Sequence, residues 1–345
     1  MAERNQNQNK DLRAYESMME IKKILVPTDF SDESISAYTH AQELASRFGA
    51  KIDLIHVVPT LKYFSESISK LGVPLDVDED LYPHVKDGAE HQLRGIMDDY
   101  FEEGNKGKAI VNIERKPSKA ISDYAEKNGY DLIVMAARGA HSSDLLRGSI
   151  TEKVSRYSTV PVFTVDNRLQ PEGLKRILVP TDGSSISFAC FPLALTIATI
   201  YDAEISLFHV QELYGSLSES LERHDDISEA LDIYNSIIDN LEQYLSEHAV
   251  KSVKIKRGDE DFEDEVIITE DGTERSIPLH TILERGLSAH YVIESYAPEH
   301  SDLIVMTTHG HSGVARFFLG STTEKIVQHV DMPVVTLKPS KELLS

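Results

Sequence analysis

The residues best placed to do chemistry stand near the end of the chain. Thr307-Thr308-His309-Gly310-His311-Ser312-Gly313 is followed by residues 314–319 and then by Gly320-Ser321-Thr322-Thr323-Glu324. A glycine-containing loop leading into Gly-Ser-Thr at the opening of a helix presents backbone N–H groups, hydroxyls and the positive end of a helix dipole. That combination suits a polyphosphate. His309 and Arg316 flank the loop as further phosphate contacts, and Asp182, after Pro180-Thr181, offers a carboxylate that can accept from a ribose or an adenine amine. The same residues carry plainer readings. Ser321-x-x-Glu324 and Ser149-x-x-Glu152 are capping boxes, and Asp29 and Asp182, just before Ser31 and Ser184, suit Asx-type turns or caps. His309-Gly310-His311 has no identifiable third ligand, which argues against zinc. No Gly-x4-Gly-Lys-Ser/Thr loop is present and no nucleophile and base are fixed by spacing, which argues against an efficient hydrolase while leaving slow ATP turnover open.

These residues sit in a repeat. Lys23-Ile24-Leu25-Val26-Pro27-Thr28-Asp29 returns as Arg176-Ile177-Leu178-Val179-Pro180-Thr181-Asp182, and His56-Val57 returns as His209-Val210. Asp131-Leu132-Ile133-Val134-Met135 returns as Asp302-Leu303-Ile304-Val305-Met306, at an offset larger by 18. The second copy therefore holds a net insertion. The expected organisation is a polar tail (1–20), a first domain (21–166), a linker (167–173), a second domain (174–338) and a C-terminal tail (339–345). Short β-branched runs alternate with longer helical stretches, and continuous apolar runs suit strands buried on both faces. Each copy is expected to be a doubly wound, five-stranded parallel α/β unit, with ligands beyond the carboxyl ends of strands one and four. An unusually apolar helix over 186–200 is the candidate for extra burial at a domain or subunit contact.

Composition narrows the partners. Among 345 residues, 35 Lys and Arg face 57 Asp and Glu, a net charge of −22, which argues against nucleic acid and anionic membranes. One cysteine, Cys190, excludes an intramolecular disulfide framework and fits a reducing, cytoplasmic setting. The first twenty residues lack the apolar stretch of a secretory signal, and the apolar run at 183–201 is interrupted by Pro192.

Taken together, the Val-Pro-Thr-Asp ending of strand one, His-Val in strand two, Asp-Leu-Ile-Val-Met as strand four, the glycine loop and the final Pro-Val-Val strand give a chain that resembles the universal stress protein family in tandem form. The resemblance implies strand order 3-2-1-4-5, with domains paired through their fifth strands within the chain, and leaves room for a homodimer. It also implies ATP or another adenine nucleotide, with or without Mg²⁺, at Gly-x2-Gly-x9-Gly-Ser/Thr. In the second copy the matching positions are Pro180, Thr181, Asp182, Val210, Thr307, His309, Gly310, Arg316, Gly320, Ser321 and Thr322. A weaker site in the first copy falls on Pro27, Thr28, Asp29, Val57, Ala136, Arg138, Gly139, Gly148 and Ser149.

The departures are specific. Ala136 and Thr307 stand where the motif begins with glycine, and a β-carbon there crowds a close-approaching phosphate. The first copy also has eight residues, not nine, between Gly139 and Gly148. The second copy is therefore the expected binder, in a stress sensor or regulator. The altered glycines equally suit a scaffold of the same fold that acts through protein partners. The insertion, about 258–278, holds nine acids and one base from Asp259 to Arg275 and an Asp271-Gly272 hairpin signal, and is expected as a solvated arm. Its acids lack the spacing of an EF-hand loop.

Overall fold

The computed structural model describes residues 19–60, 81–138, 148–165, 173–213, 227–248, 252–270, 272–309, 321–340 and 343. Two compact units account for it, one of Ile21–Asn167 and one that includes Arg168–Ser345.

The first unit is a parallel sheet of β1 (Lys23–Pro27), β2 (Lys51–Pro59), β3 (Lys106–Glu114), β4 (Leu132–Ala136) and β5 (Val162–Val165), in the order β3-β2-β1-β4-β5. Ile24, Leu25 and Val26 are wholly buried because helices cover both faces. Those helices are α1 (Ile35–Phe48), α2 (Tyr82–Tyr100), α3 (Pro117–Lys127) and α4 (Ser149–Tyr157). Leu25, Ile55, Ile121, Ile133, Val154 and Val162 meet in one core.

A buried charge organises the β2–β3 edge of this sheet. Asp53 is 3% exposed, at a slip in the β2–β3 register between Ile52 and Leu54. Its carboxylate accepts the Lys108 N–H at 2.6 Å and the Tyr130 hydroxyl at 2.6 Å. A β-carbon on Gly107 would lie 1.9 Å from Asp53 Oδ1, so only glycine lets the carboxylate enter the slip. Burial, then the adjacent Asp53, pushes the Tyr130 phenol far above its ordinary range and keeps it a donor.

The second unit extends the same plan. Its strands are β6 (Arg176–Pro180), β7 (Glu204–Glu212), β8 (Val253–Arg257), β9 (Glu263–Glu270), β10 (Thr273–Gly286), β11 (Leu303–Thr307) and β12 (Val334–Leu337), ordered β12-β11-β6-β7-β10-β9-β8. This is two strands more than the five expected. The reason lies in β10: Leu279–Gly286 runs parallel to β7, while Thr273–His280 runs antiparallel to β9, which is itself antiparallel to β8. The acidic insertion is thus built into the sheet and is not an arm in solvent. Along β9 Asp264, Val266 and Ile268 are buried while the residues between them are not, the two-residue period of a strand with one covered face. Gly272, at φ +78°, takes the left-handed conformation that its two-residue hairpin turn requires.

The helices of this unit are α5 (Ser185–Phe188), α6 (Phe191–Tyr201), α7 (Ile227–Glu247), α8 (Ala289–His300) and α9 (Ser321–His329). The apolar helix expected over 186–200 is broken into α5 and α6. Pro192, which has no N–H, stands in the first turn of a helix that starts afresh, where no N–H is needed. Phe191, Leu193, Leu195 and Ile197 of α6 are buried, as is nearly its whole circumference. The Tyr234 hydroxyl of α7 donates to buried Asp264 at 2.9 and 3.0 Å, fastening the insertion to the helix layer.

Both units open their crevice by the same device. β1 pairs with β4 at only two positions, Ile24↔Leu132 and Leu25↔Ile133, and β6 pairs with β11 at Ile177↔Leu303 and Leu178↔Ile304. Asp131 Oδ2 accepts the N–H groups of Lys22 and Lys23, each at 2.9 Å. Asp302 Oδ2 does the same for Lys175 and Arg176, at 3.0 and 2.9 Å. The strands are clamped at their amino ends and part toward their carboxyl ends, where strand order reverses.

Replacing Tyr130 by Phe leaves the Asp53 carboxylate with one donor fewer in a buried setting. The expected loss is about 1.5–3 kcal/mol, read as a lower urea midpoint at unchanged slope. A midpoint equal to that of the unaltered protein would show that the bond contributes nothing.

Candidate functional site

At the carboxyl end of β6 the chain turns sharply, and the turn is made by side chains. Thr181 is buried; its N–H donates to Phe208 O at 2.9 Å, and its Oγ1 accepts the Gly183 N–H at 3.0 Å and lies 2.7 Å from Ser187 Oγ. Asp182 is exposed, and its Oδ1 accepts the N–H and the hydroxyl of Ser184 at 3.0 and 2.6 Å, an Asx turn. Ser184 in turn caps α5 by accepting the Ser187 N–H at 3.2 Å. In β7, His209 Nδ1 lies 3.0 Å from Thr181 O, so Nδ1 carries the proton. The first unit repeats this at Thr28, at Asp29, whose Oδ1 accepts from Ser31 and Ser34, and at His56, whose Nδ1 is 2.8 Å from Thr28 O.

The ends of β4 and β11 are closed in a shared way as well. Thr323 of α9 donates its hydroxyl to Thr307 O at 2.9 Å, and Thr151 of α4 donates to Ala136 O at 2.9 Å. Ala136 and Thr307, at the positions where glycine was expected, are buried, and the Thr307 hydroxyl donates to His309 O at 2.6 Å. His309 is buried, with Nδ1 2.9 Å from Thr308 Oγ1. The capping box at Ser149 does not form. Gly148 is the N-cap, in extended conformation, Ser149 is already helical, and Glu152 pairs with Arg156 at 2.6 Å. Arg138 is half-buried, and Ser321 and Thr322 open α9. Gly139, Gly310, Arg316 and Gly320 lie outside the described residues.

A cleft of about 310 Å³ adjoins this turn, lined by Asp182, Gly183, His209, Glu229, Asp232, Ile233, Ser236, Ile237 and Asn240. Asn240 donates to Gly183 O at 3.1 Å, tying α7 to the loop after β6. Sequence reasoning reached Asp182 and the strand ends but missed the wall supplied by α7. Its signal was a polar stripe at 229, 232, 236 and 240, a spacing that brings side chains to one helix face without saying what the face meets. A larger cleft, about 410 Å³, lies by the amino ends of β6 and β7, beside Lys175, Arg176 and Arg275, away from the crevice. Among the described residues no cluster of three His, Cys, Asp or Glu side chains has metal-binding geometry, and no helix is long and apolar enough to cross a membrane.

A family profile now decides the kinship: that of the universal stress protein family matches the chain twice, over residues 20–166 and 173–338. The chain belongs to the universal stress protein family. As a tandem universal stress protein it is similar to one from Methanocaldococcus jannaschii, 28% identical over 169 residues, which are 49% of this chain and 85% of that one. A universal stress protein of Mycolicibacterium smegmatis is 23% identical over 322 residues, 92% of this chain and 97% of the other. The fold is shared with the crystal structure of a universal stress protein from Archaeoglobus fulgidus, with a TM-score of 0.55 at 20% identity, covering 93% of this chain and 97% of that one.

In this universal stress protein α9 is also tied to the start of α8. Lys325 of α9 lies with Nζ 3.2 Å from His290 Nε2, and His290 Nδ1 lies 2.6 Å from Ser288 Oγ. An ammonium can only donate, so Nε2 accepts and the ring proton sits on Nδ1. Burial first, then the Lys325 charge, lowers the His290 pKa below its ordinary value. The folded state therefore favours neutral imidazole, and stability present above about pH 6.5 is lost as pH falls through the lowered value. Unfolding midpoints measured between pH 7.5 and 5 should fall toward acid, and His290→Gln should flatten that fall. An identical pH profile in the variant would remove His290 as its source.

Proposed function

We propose that this tandem universal stress protein is a cytoplasmic, adenine-nucleotide-binding stress sensor or regulator whose better site is in the second unit. The observation that carries the reading is the cleft beside Asp182, His209 and the carboxyl ends of β6 and β7, in the copy that keeps Gly310-x9-Gly320-Ser321. The nucleoside lies toward this cleft, near Pro180, Thr181, Asp182 and Val210. The phosphates lie toward α9, which Ser321 and Thr322 open with the positive end of its dipole, and the Gly310-x9-Gly320 motif of the sequence supports backbone N–H contacts to them. His309 and Arg316 are the further phosphate contacts of this reading. Mg²⁺ accompanies the phosphates as their counter-ion. The first unit, with its shortened loop and Ala136, is the weaker site or none. No nucleophile and base are fixed by spacing in the sequence, which supports a binding protein over a metabolic enzyme.

One observation favours a scaffold that binds no nucleotide: Thr307 replaces a motif glycine, and its hydroxyl is already bonded within the protein. Thermal unfolding with ATP and Mg²⁺ separates the two readings. A ligand at 100 times its Kd stabilises the folded state by about 2.7 kcal/mol, a rise in Tm of a few degrees, and Gly320→Val should abolish it. No rise at saturating ATP would leave the scaffold reading standing alone.

A further inference from the structure

The α7 wall of the cleft differs between the two copies of the domain in a way that bears on which ligand is accepted. Glu229 of α7 is held in place: its Oε1 accepts from Gln211 Nε2 at 3.0 Å, its Oε2 lies 3.4 Å from the Arg285 guanidinium, and Arg285 Nε donates to Gln211 Oε1 at 2.9 Å. This ring of three side chains joins the ends of β7 and β10 to the first turn of α7. Asp232, one turn further along, lines the cleft and has no hydrogen-bond or ion-pair partner among the described residues. Setting buried Leu93 and Met97 of α2 against buried Ile237 and Leu241 of α7 places Val85 and Gly88 where α7 has Glu229 and Asp232. With buried positions paired in this way, the first copy has neither carboxylate at the matching places.

We infer that Asp232 is a specificity-determining residue of the second unit's cleft, accepting a hydrogen bond from a donor on the nucleoside, a ribose hydroxyl or the exocyclic amine. The inference rests on the nucleotide reading above. A carboxylate repels phosphate oxygens and gains a strong, charge-assisted bond from a hydroxyl or amine, so it faces the nucleoside end of the ligand. Arg285 partly offsets the Glu229 charge and Gln211 holds it by a hydrogen bond, which leaves Asp232 as an acceptor without a protein donor among the described residues. Because the position is exposed on a helix, alanine there keeps the fold.

Calorimetric titration of the full chain tests this. The unaltered protein is titrated with ATP, with 2′-deoxyATP, which lacks a ribose donor, and with ITP, which has a carbonyl oxygen in place of the amine. Asp232→Ala is expected to weaken ATP binding about ten- to a hundredfold and to lose the discrimination between ATP and whichever analogue the unaltered protein rejects. Glu242→Ala, on the same helix outside the cleft, should bind as the unaltered protein does. If the unaltered protein binds ATP and Asp232→Ala binds it within about twofold, this inference fails while the nucleotide reading stands. If the unaltered protein binds none of the three, the nucleotide reading fails and this inference with it.

Discussion

The crevice in each unit depends on how little its first and fourth strands touch. Two paired positions hold β1 to β4 and β6 to β11, and a single aspartate at the head of the fourth strand takes two consecutive N–H groups at the start of the first. A carboxylate receiving two backbone donors fixes direction as well as distance. With that end pinned, the right-handed twist of a parallel sheet carries the two strands apart toward their carboxyl ends. Everything that follows them, the Asx turn at Asp182, the histidine beneath it and the helix after the glycine loop, inherits its position from that divergence.

Much of this was legible in the residues. The repeat fixed two copies, and apolar runs such as Ile24-Leu25-Val26 are buried strands because a sheet covered on both faces admits little else. The Asx reading of Asp29 and Asp182 rests on local chemistry, a carboxylate two residues before a serine N–H, and such short-range geometry survives without tertiary context. The capping box at Ser149 did not survive, because Gly148 takes the cap position and Glu152 finds Arg156 one turn on. Sequence spacing identifies partners that can meet and does not rank them against others that arrive from the same helix.

What was not legible is long-range. The acids of the insertion suggested a solvated arm, yet alternate residues of β9 face inward, and a strand alternating charge with β-branched residues reads equally as an exposed ribbon or as part of a half-covered sheet. The break between α5 and α6 was signalled by Pro192, whose place in a first turn gives a restart where a single helix was expected. The wall of the cleft comes from α7, far from Asp182 in sequence, and no local pattern says which polar stripe meets which strand end.

The double pairing of β10 also bears on how the second unit comes apart. One uninterrupted strand contributes its first half to a hairpin and its second half to the parallel sheet, sharing Leu279 and His280 between them. Such a strand cannot release its hairpin half without loosening the half beside β7, and Asp264 fastens that hairpin to α7 through Tyr234. The insertion is therefore expected to exchange its amide protons with the sheet as one cooperative unit and not as a fraying appendage.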